Sequence, residues 1–241
     1  ATGVGSVIDL RNVTNLSNGL AGTVNDRITI EALSGGVVDL RSVQGFVDGA
    51  NSANNGADSI YVRSTGTGSL VNLSSLTSFA NTSSFLGELS AKTGGELRIP
   101  VLSNLDGVLL KLDGTGSLPI SAMASFTDGR MELSGQNYGF TSLTNAAGTE
   151  IVVSGAGVSA SLPQLLSVQN GSLELSGGAT FSVPLLSNID GANLIVTGGV
   201  TLAIPSVTSY THTAGLIRDD VEIRATGVGS VIDLRNVTNL S

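Results

Sequence analysis

The chain of 241 residues has no cysteine, no tryptophan and a single histidine, and only 12% of its residues are charged. Without cysteine there are no disulfide bonds, no thiol chemistry and no cysteine-ligated metal sites. The 11 Lys and Arg residues are outnumbered by 19 Asp and Glu residues, which gives a net charge of −8. Because nucleic-acid binding needs clustered cations, we expect no nucleic-acid partner. The chain also lacks an apolar run long enough to cross a bilayer, so we expect no membrane insertion of this segment.

Helical periodicity is missing as well, because no stretch keeps a 3.6-residue apolar period and glycine interrupts the chain repeatedly. What the chain does contain is 41% hydrophobic residues and 32 glycines, with a mean hydropathy of +0.31. That hydropathy is too high for a disordered linker. Short runs in which apolar and polar residues alternate, separated by glycine, indicate short β-strands joined by turns. The sequence therefore predicts an all-β fold.

A long duplication sets the domain organisation. The first seventeen residues, ATGVGSVIDLRNVTNLS, return without change as residues 225–241, so the two copies are offset by 224 residues. We expect residues 1–241 to form one continuous β-solenoid, in which residues 1–224 are one period of a tandem array and residues 225–241 begin the next period. We also expect that neither end is a natural terminus and that the whole molecule is much larger.

A shorter repeat lies within this period. With Φ for an apolar residue, it reads Φ-x-Φ-x-x-Φ-x-x-Φ, followed by a turn and the strand pattern x-Φ-x-Φ. It predicts a single-stranded, right-handed parallel β-helix of nine to ten coils, each of about 20–30 residues. Nine copies occur before the duplication, and a tenth begins within it, with first residues Ile8, Val38, Val71, Leu97, Leu118, Tyr138, Ala160, Phe181, Leu202 and Ile232.

The repeat also predicts where individual side chains lie. Four prolines (Pro100, Pro163, Pro184 and Pro205) share one place after a strand, which predicts a corner of each coil, and Arg11, Arg41 and Ser74 hold that place elsewhere. The last inward position holds Phe46, Phe79, Phe126 and Tyr210, which we expect in the core. The outward column of the longest strands is expected to read Thr29, Tyr61, Ser90, Lys111, Glu132, Val152, Glu174, Ile195 and Glu222, a mixed surface without a carboxylate cluster.

Two resemblances follow from these patterns. The cadence of LPQLLSVQNGSLELSG (162–177) and its relatives resembles the leucine-rich, β-helical L-domains of receptor and cell-wall proteins. The long-period duplication is similar to that of giant bacterial surface proteins and adhesins built from tandem β-helical arrays. Both resemblances imply an architecture and a place on the cell surface, and they carry no catalytic residue over to this chain.

One carboxylate pair was considered for catalysis. Asp9 and Asp39 are expected to occupy the same outward place on adjacent coils, with Arg11 and Arg41 two residues further on. β-Helical polysaccharide lyases and hydrolases use such neighbouring acids for general acid–base chemistry. The simpler interpretation is a surface ladder in which each aspartate is neutralised by its own arginine. Catalysis by Asp9 and Asp39 is therefore the alternative hypothesis, and our main expectation is that the chain is not an enzyme.

Four long inserts are the second place where function could lie. They occupy residues 17–26, 47–57, 80–87 and 211–220, and we expect them at the same point of four consecutive coils, stacked into one flank. The simpler interpretation is that they are tolerated surface loops. The flank would offer Asn25, Asn51, Asn54, Asn55 and His212 for binding, and a calcium site would use Asp26, Asp48, Asp58, Asp219 and Asp220. Asp and Asn are also ordinary turn residues, so we expect no cofactor and keep Ca²⁺ as an alternative.

Together these patterns predict a non-enzymatic stalk or spacer module of a very large secreted or cell-surface repeat protein. Its expected partners are adjacent copies of the same repeat, end to end, and surface glycans or proteins at the insert flank. A polysaccharide-acting β-helix enzyme and a calcium-stabilised adhesin repeat are the two alternatives. The expected location is extracellular or on the cell surface.

Overall fold

The computed structural model describes residues 1–18, 27–49, 59–83, 85–212 and 220–241. The chain divides into two compact units, Ala1–Met123 and Ala124–Ser241. All regular elements in the described ranges are β-strands, and the strand pairings between them are parallel, so the all-β prediction is confirmed. No described part of the chain forms a helix of the length and apolar character that crossing a bilayer requires.

The first unit contains twelve strands in three four-stranded sheets. The sheet orders are β1-β4-β7-β10, β2-β5-β8-β11 and β3-β6-β9-β12, so the chain visits the three sheets in turn and returns to the first. The strands are β1 Val7–Asp9, β2 Asn15–Asn18, β3 Arg27–Leu33, β4 Val37–Asp39, β5 Gly45–Asp48, β6 Ser59–Thr65, β7 Leu70–Asn72, β8 Ser78–Asn81, β9 Gly87–Lys92, β10 Glu96–Arg98, β11 Asn104–Asp106 and β12 Val108–Leu112.

The second unit repeats this order with shorter elements. One sheet runs β14-β16-β18-β20-β23, another β15-β17-β19, and two pairs are β21-β24 and β22-β25. The third side is reduced to single bridges that join Asn145 to Ser167 and Ser167 to Asn188. The strands are β13 Ser125–Thr127, β14 Arg130–Leu133, β15 Tyr138–Gly139, β16 Glu150–Ser154, β17 Ser159–Ser161, β18 Ser172–Ser176, β19 Thr180–Ser182, β20 Asn193–Thr197, β21 Thr201–Ala203, β22 Ser209–Tyr210, β23 Ile223–Thr226, β24 Val231–Asp233 and β25 Asn239–Leu240.

A hydrogen-bonded turn forms the predicted corner. After β1 the N–H of Val13 donates to the carbonyl of Leu10 at 2.9 Å, and Arg11 holds the second position of that turn. Proline suits this position because its fixed φ matches the turn and its missing N–H is not needed there. The four prolines occupy it in turns closed by the N–H groups of Leu102, Leu165, Leu186 and Val207, so the corner prediction is confirmed.

The core forms from the alternate, inward-facing residues of the strands. Phe46 and Phe79 are buried on the neighbouring strands β5 and β8, and their rings meet edge to face with centroids 5.4 Å apart. The ring of Phe79 also approaches Gly87 so closely that an added Cβ would lie 2.6 Å from it. Phe126 and Tyr210 are buried as well, so the predicted aromatic core positions are confirmed. Each such ring contributes on the order of 2–3 kcal/mol by leaving water.

The predicted outward column is wrong at two places. Tyr61 lies beside Glu88 and not beside Ser90, because β6 is seven residues long and Ser90 is paired with Arg63. In the second unit Ile195 is paired with Arg224 and not with Glu222. Each error is a slip of two residues, which keeps the inward and outward faces and changes only the neighbour.

Candidate functional site

Asp9 and Asp39 lie directly opposite each other on the parallel pair β1 and β4. Nε of Arg11 donates to the two carboxylate oxygens of Asp9 at 2.8 and 2.9 Å. Nε of Arg41 donates to those of Asp39 at 3.0 and 2.9 Å, and a second nitrogen of Arg41 completes the ion pair. Nδ2 of Asn72, the next residue in the column, donates to Asp39 at 3.2 Å. Each carboxylate is thus neutralised by the arginine at the following corner.

The electrostatics of this pair favour permanent charge. Hydrogen bonds from the side chain and backbone of Arg11 lower the pKa of Asp9 to about 2. The hydrogen bond from the Arg41 side chain lowers the pKa of Asp39, although the burial of that carboxylate works in the opposite direction. A general acid needs a pKa near the working pH, usually through burial or a like charge that is not neutralised. Both aspartates have the opposite shift, so the arrangement suits a surface ladder.

The inserts of the first unit begin at one aligned point. Asn18 is paired with Asp48, and Asp48 with Asn81, at the last residues of β2, β5 and β8. Asp48 is fully buried and Asn81 nearly so. The amide of Asn81 donates to the carbonyl of Gly107 at 3.0 Å and to that of Phe85 at 2.6 Å, which ties the start of the third insert to the next strand.

The fourth insert begins at the equivalent point in the second unit. The N–H of Ser241 donates to the carbonyl of Tyr210 at 3.1 Å, and the N–H of His212 donates to the carbonyl of Ser241 at 2.8 Å. Ser241 is the duplicate of Ser17, where the first insert begins. The predicted alignment of the inserts is therefore confirmed at their starting residues.

Most residues predicted for the insert flank lie outside the described ranges. These are Asn25, Asp26, Asn51, Asn54, Asn55, Asp58 and Asp219. Of the remaining three, Asp48 is buried, His212 is half-buried and Asp220 is exposed. Within the described part of the chain, no three acidic or histidine side chains come together as metal ligands would. Calcium binding by the inserts stays a prediction.

A carboxylate cluster that the sequence analysis missed surrounds Arg130 in the second unit. Nε of Arg130 donates to Glu132 at 2.9 Å, and Nη1 pairs with Glu150 on the neighbouring strand β16. Glu174 on β18 lies next to this group and accepts a hydrogen bond from Ser172 at 3.3 Å. Burial and then the charge of Glu150 raise the pKa of Glu174. The cluster was missed because Glu150 belongs to the column beside the one that was followed along the strands.

The equivalent surface of the first unit is neutralised more fully. Arg63 on β6 contacts Glu88 on β9 at 2.9 Å and Glu31 on β3 at 3.5 Å, so one cation bridges two carboxylates across three strands. The guanidinium groups of Arg27 and Arg63 lie 4.8 and 4.7 Å from the ring centre of Tyr61. Such cation–π contacts cover the face that an exposed tyrosine would offer to a sugar.

Comparison of the chain with protein-family models, with curated proteins and with solved structures gave no match. The resemblance to adhesin repeats and L-domains therefore rests on the sequence cadence. What the structure adds is the arrangement with which both resemblances are compatible, namely strands only, in parallel sheets.

Proposed function

We propose that the chain is a non-enzymatic structural module, a stalk or spacer segment of a very large secreted or cell-surface repeat protein of bacterial type. The module is a single-stranded, right-handed parallel β-helix of nine to ten coils, and residues 1–224 are one period of it. The observation that carries the proposal is the unchanged return of residues 1–17 at 225–241, on strands that pair in parallel with the preceding coil.

The order of the sheets supports the β-helix. In the first unit the chain passes from β1 to β2 to β3 and then returns beside β1, with offsets of 30, 33 and 26 residues from Val7 to Val37, Leu70 and Glu96. In the second unit the offsets from Arg130 to Glu150 and Ser172 are 20 and 22 residues. A single coil buries too little apolar surface to offset the entropy of ordering it, so stability comes from stacking. Parallel crossovers are right-handed in about 98% of cases, which gives the proposed hand.

The charged groups favour a structural role over catalysis. A lyase or hydrolase that uses Asp9 and Asp39 needs one of them protonated or free to act as a base, and each is held by its own arginine. Incubation with neutral and acidic polysaccharides separates the two hypotheses, since the structural module releases neither reducing ends nor unsaturated products.

Adhesion through the insert flank is a second role of the same module. The aligned starts of the inserts at Asn18, Asp48 and Asn81 support a flank that recurs in every period. A weak site repeated along one molecule gains avidity without a high affinity of each site, and its partners would be surface glycans or proteins. Thermal unfolding in excess EDTA and then in Ca²⁺ tests the calcium-stabilised form, which requires a higher midpoint with Ca²⁺.

Small-angle scattering from chains of one, two and three periods tests the spacer directly. Nine coils per period at about 4.8 Å per strand spacing add about 43 Å. We expect the maximum dimension to grow by about that length with each period. A chain of three periods that is no longer than a chain of one would contradict the proposal.

A further inference from the structure

The two copies of the duplicated segment have the same local geometry. We call residues 1–17 the first copy and residues 225–241 the second copy. Gly3 and its duplicate Gly227 have φ of 91° and 97°, a left-handed conformation that favours glycine. The corner bond from the N–H of Val13 to the carbonyl of Leu10 is 2.9 Å long, and its duplicate is also 2.9 Å. The local structure is therefore set by the segment itself.

The neighbours of the two copies are different. The first copy lies beside the strands that follow it, where its Ser6 carbonyl accepts from the N–H of Val37 and its Leu10 N–H donates to the carbonyl of Asp39, both at 2.9 Å. Its Thr14 carbonyl accepts from the next coil as well, at 2.9 Å. On this side β1 pairs with β4, and β2 with β5.

The second copy lies beside the strands that precede it. Its Val231 N–H donates to the carbonyl of Val200 at 2.9 Å, and its Thr238 N–H donates to that of Thr208 at 2.9 Å. Its Asp233 carbonyl accepts from the preceding coil at 3.4 Å. On this side β24 pairs with β21, and β25 with β22.

These two sets of flanking hydrogen bonds have no atom in common. In the numbering of the first copy, one set uses the carbonyls of positions 6 and 14 and the N–H of position 10. The other set uses the N–H groups of positions 7 and 14 and the carbonyl of position 9. The peptide groups of a strand in a parallel sheet point alternately to its two sides, so one strand can bond both neighbours at once.

We infer that the seventeen-residue segment is a two-sided junction that joins consecutive copies of this chain. In a chain of two periods, a single segment pairs with 201–210 of the first period on one side and with 37–48 of the second period on the other. Its partner is thus a second copy of this chain, held in the register Thr201, Val7, Val37 across three adjacent strands. The inference rests on the proposed tandem array and adds its register.

The uncovered side of the first copy has the shape this partner requires. It is an open apolar cavity of about 500 Å³ whose lining includes Ile8, Leu10 and Leu16. The second copy shows what covers these positions, because its Ile232 and Leu240 pair with Leu202 and Tyr210 of the preceding coil. Leu202 and Tyr210 of a preceding period are therefore the side chains that we place over this cavity.

Disulfide trapping in a chain of two periods tests the junction, since the chain has no cysteine of its own. In that chain, residues 1–224 precede the full 241 residues, and Val231 is also position 7 of the second period. One variant carries Thr201→Cys with Val231→Cys, and another carries Val231→Cys with Val37→Cys of the second period. Adjacent parallel strands place each pair about 5 Å apart, within the range of a disulfide.

We expect both variants to lose both free thiols, as measured by thiol labelling and mass spectrometry. The control pair, Thr201→Cys with Val37→Cys of the second period, is two strands apart at about 10 Å and should keep its thiols. If only one of the two cross-links forms in the two-period chain, although both form in the one-period chain, the segment has one side only and the inference is wrong. If both form but scattering shows no growth with added periods, the junction stands and the spacer function fails.

Discussion

Residues 1–17 and 225–241 are the same sequence in two environments, and the environment decides which side chains are covered. Leu16 is half-buried beside Phe46, whereas its duplicate Leu240 is 71% exposed. At the glycine-rich corner Val4 is exposed and so is its duplicate. Corner geometry is therefore local, because glycine conformation and the turn bond are the same in both copies. Burial is set by the neighbouring coil.

Alanine at the sixteenth position of each copy sharpens this comparison most. Leu16→Ala should lower the free energy of unfolding by about 1–2 kcal/mol, because it removes half-buried methyl groups beside Phe46. Leu240→Ala should change it by no more than about 0.5 kcal/mol, because that side chain is mostly in water. Chemical denaturation of both variants measures the difference. Equal losses in the two variants would mean that the neighbouring coil does not determine the cost.

Titration of the two duplicated aspartates gives a smaller effect. Hydrogen bonds from Arg11 hold the pKa of Asp9 at about 2, and the equivalent bonds from Arg235 lower the pKa of Asp233. Because both values are lowered in the folded state, the stabilisation is present above the unfolded pKa of about 3.9. It is lost as the pH falls toward 2.

Carboxyl-carbon NMR shifts followed against pH check this prediction. Arg11→Gln should raise the pKa of Asp9 and leave that of Asp233 unchanged, and Arg235→Gln should do the reverse. If both aspartates titrate near 3.9 in the unaltered chain, the ion pairs do not form in solution.

The sequence predicted the features that one coil determines by itself. The corner turns, the prolines in them and the buried positions of Phe46 and Tyr210 all follow from a local pattern. The column beside Tyr61 was predicted wrongly because strand length depends on the neighbouring strand, and β6 extends two residues beyond the pattern.

The cluster around Arg130 could not be predicted from a repeat pattern. Glu150 and Glu174 are 24 positions apart in the chain, and they meet only because β16 and β18 pair in one register and not another. Contacts of this kind are set by the pairing between coils, which a single coil does not specify.

Hydrogen exchange at four backbone amides tests most directly the claim that one sequence uses opposite edges in its two positions. The N–H of Leu10 is bonded to Asp39 in the first copy, and the N–H of Val231 is bonded to Val200 in the second. We predict a crossed pattern, in which Leu10 exchanges more slowly than its duplicate Leu234 and Val231 exchanges more slowly than its duplicate Val7. The same order of exchange at positions 7 and 10 in both copies would contradict the account.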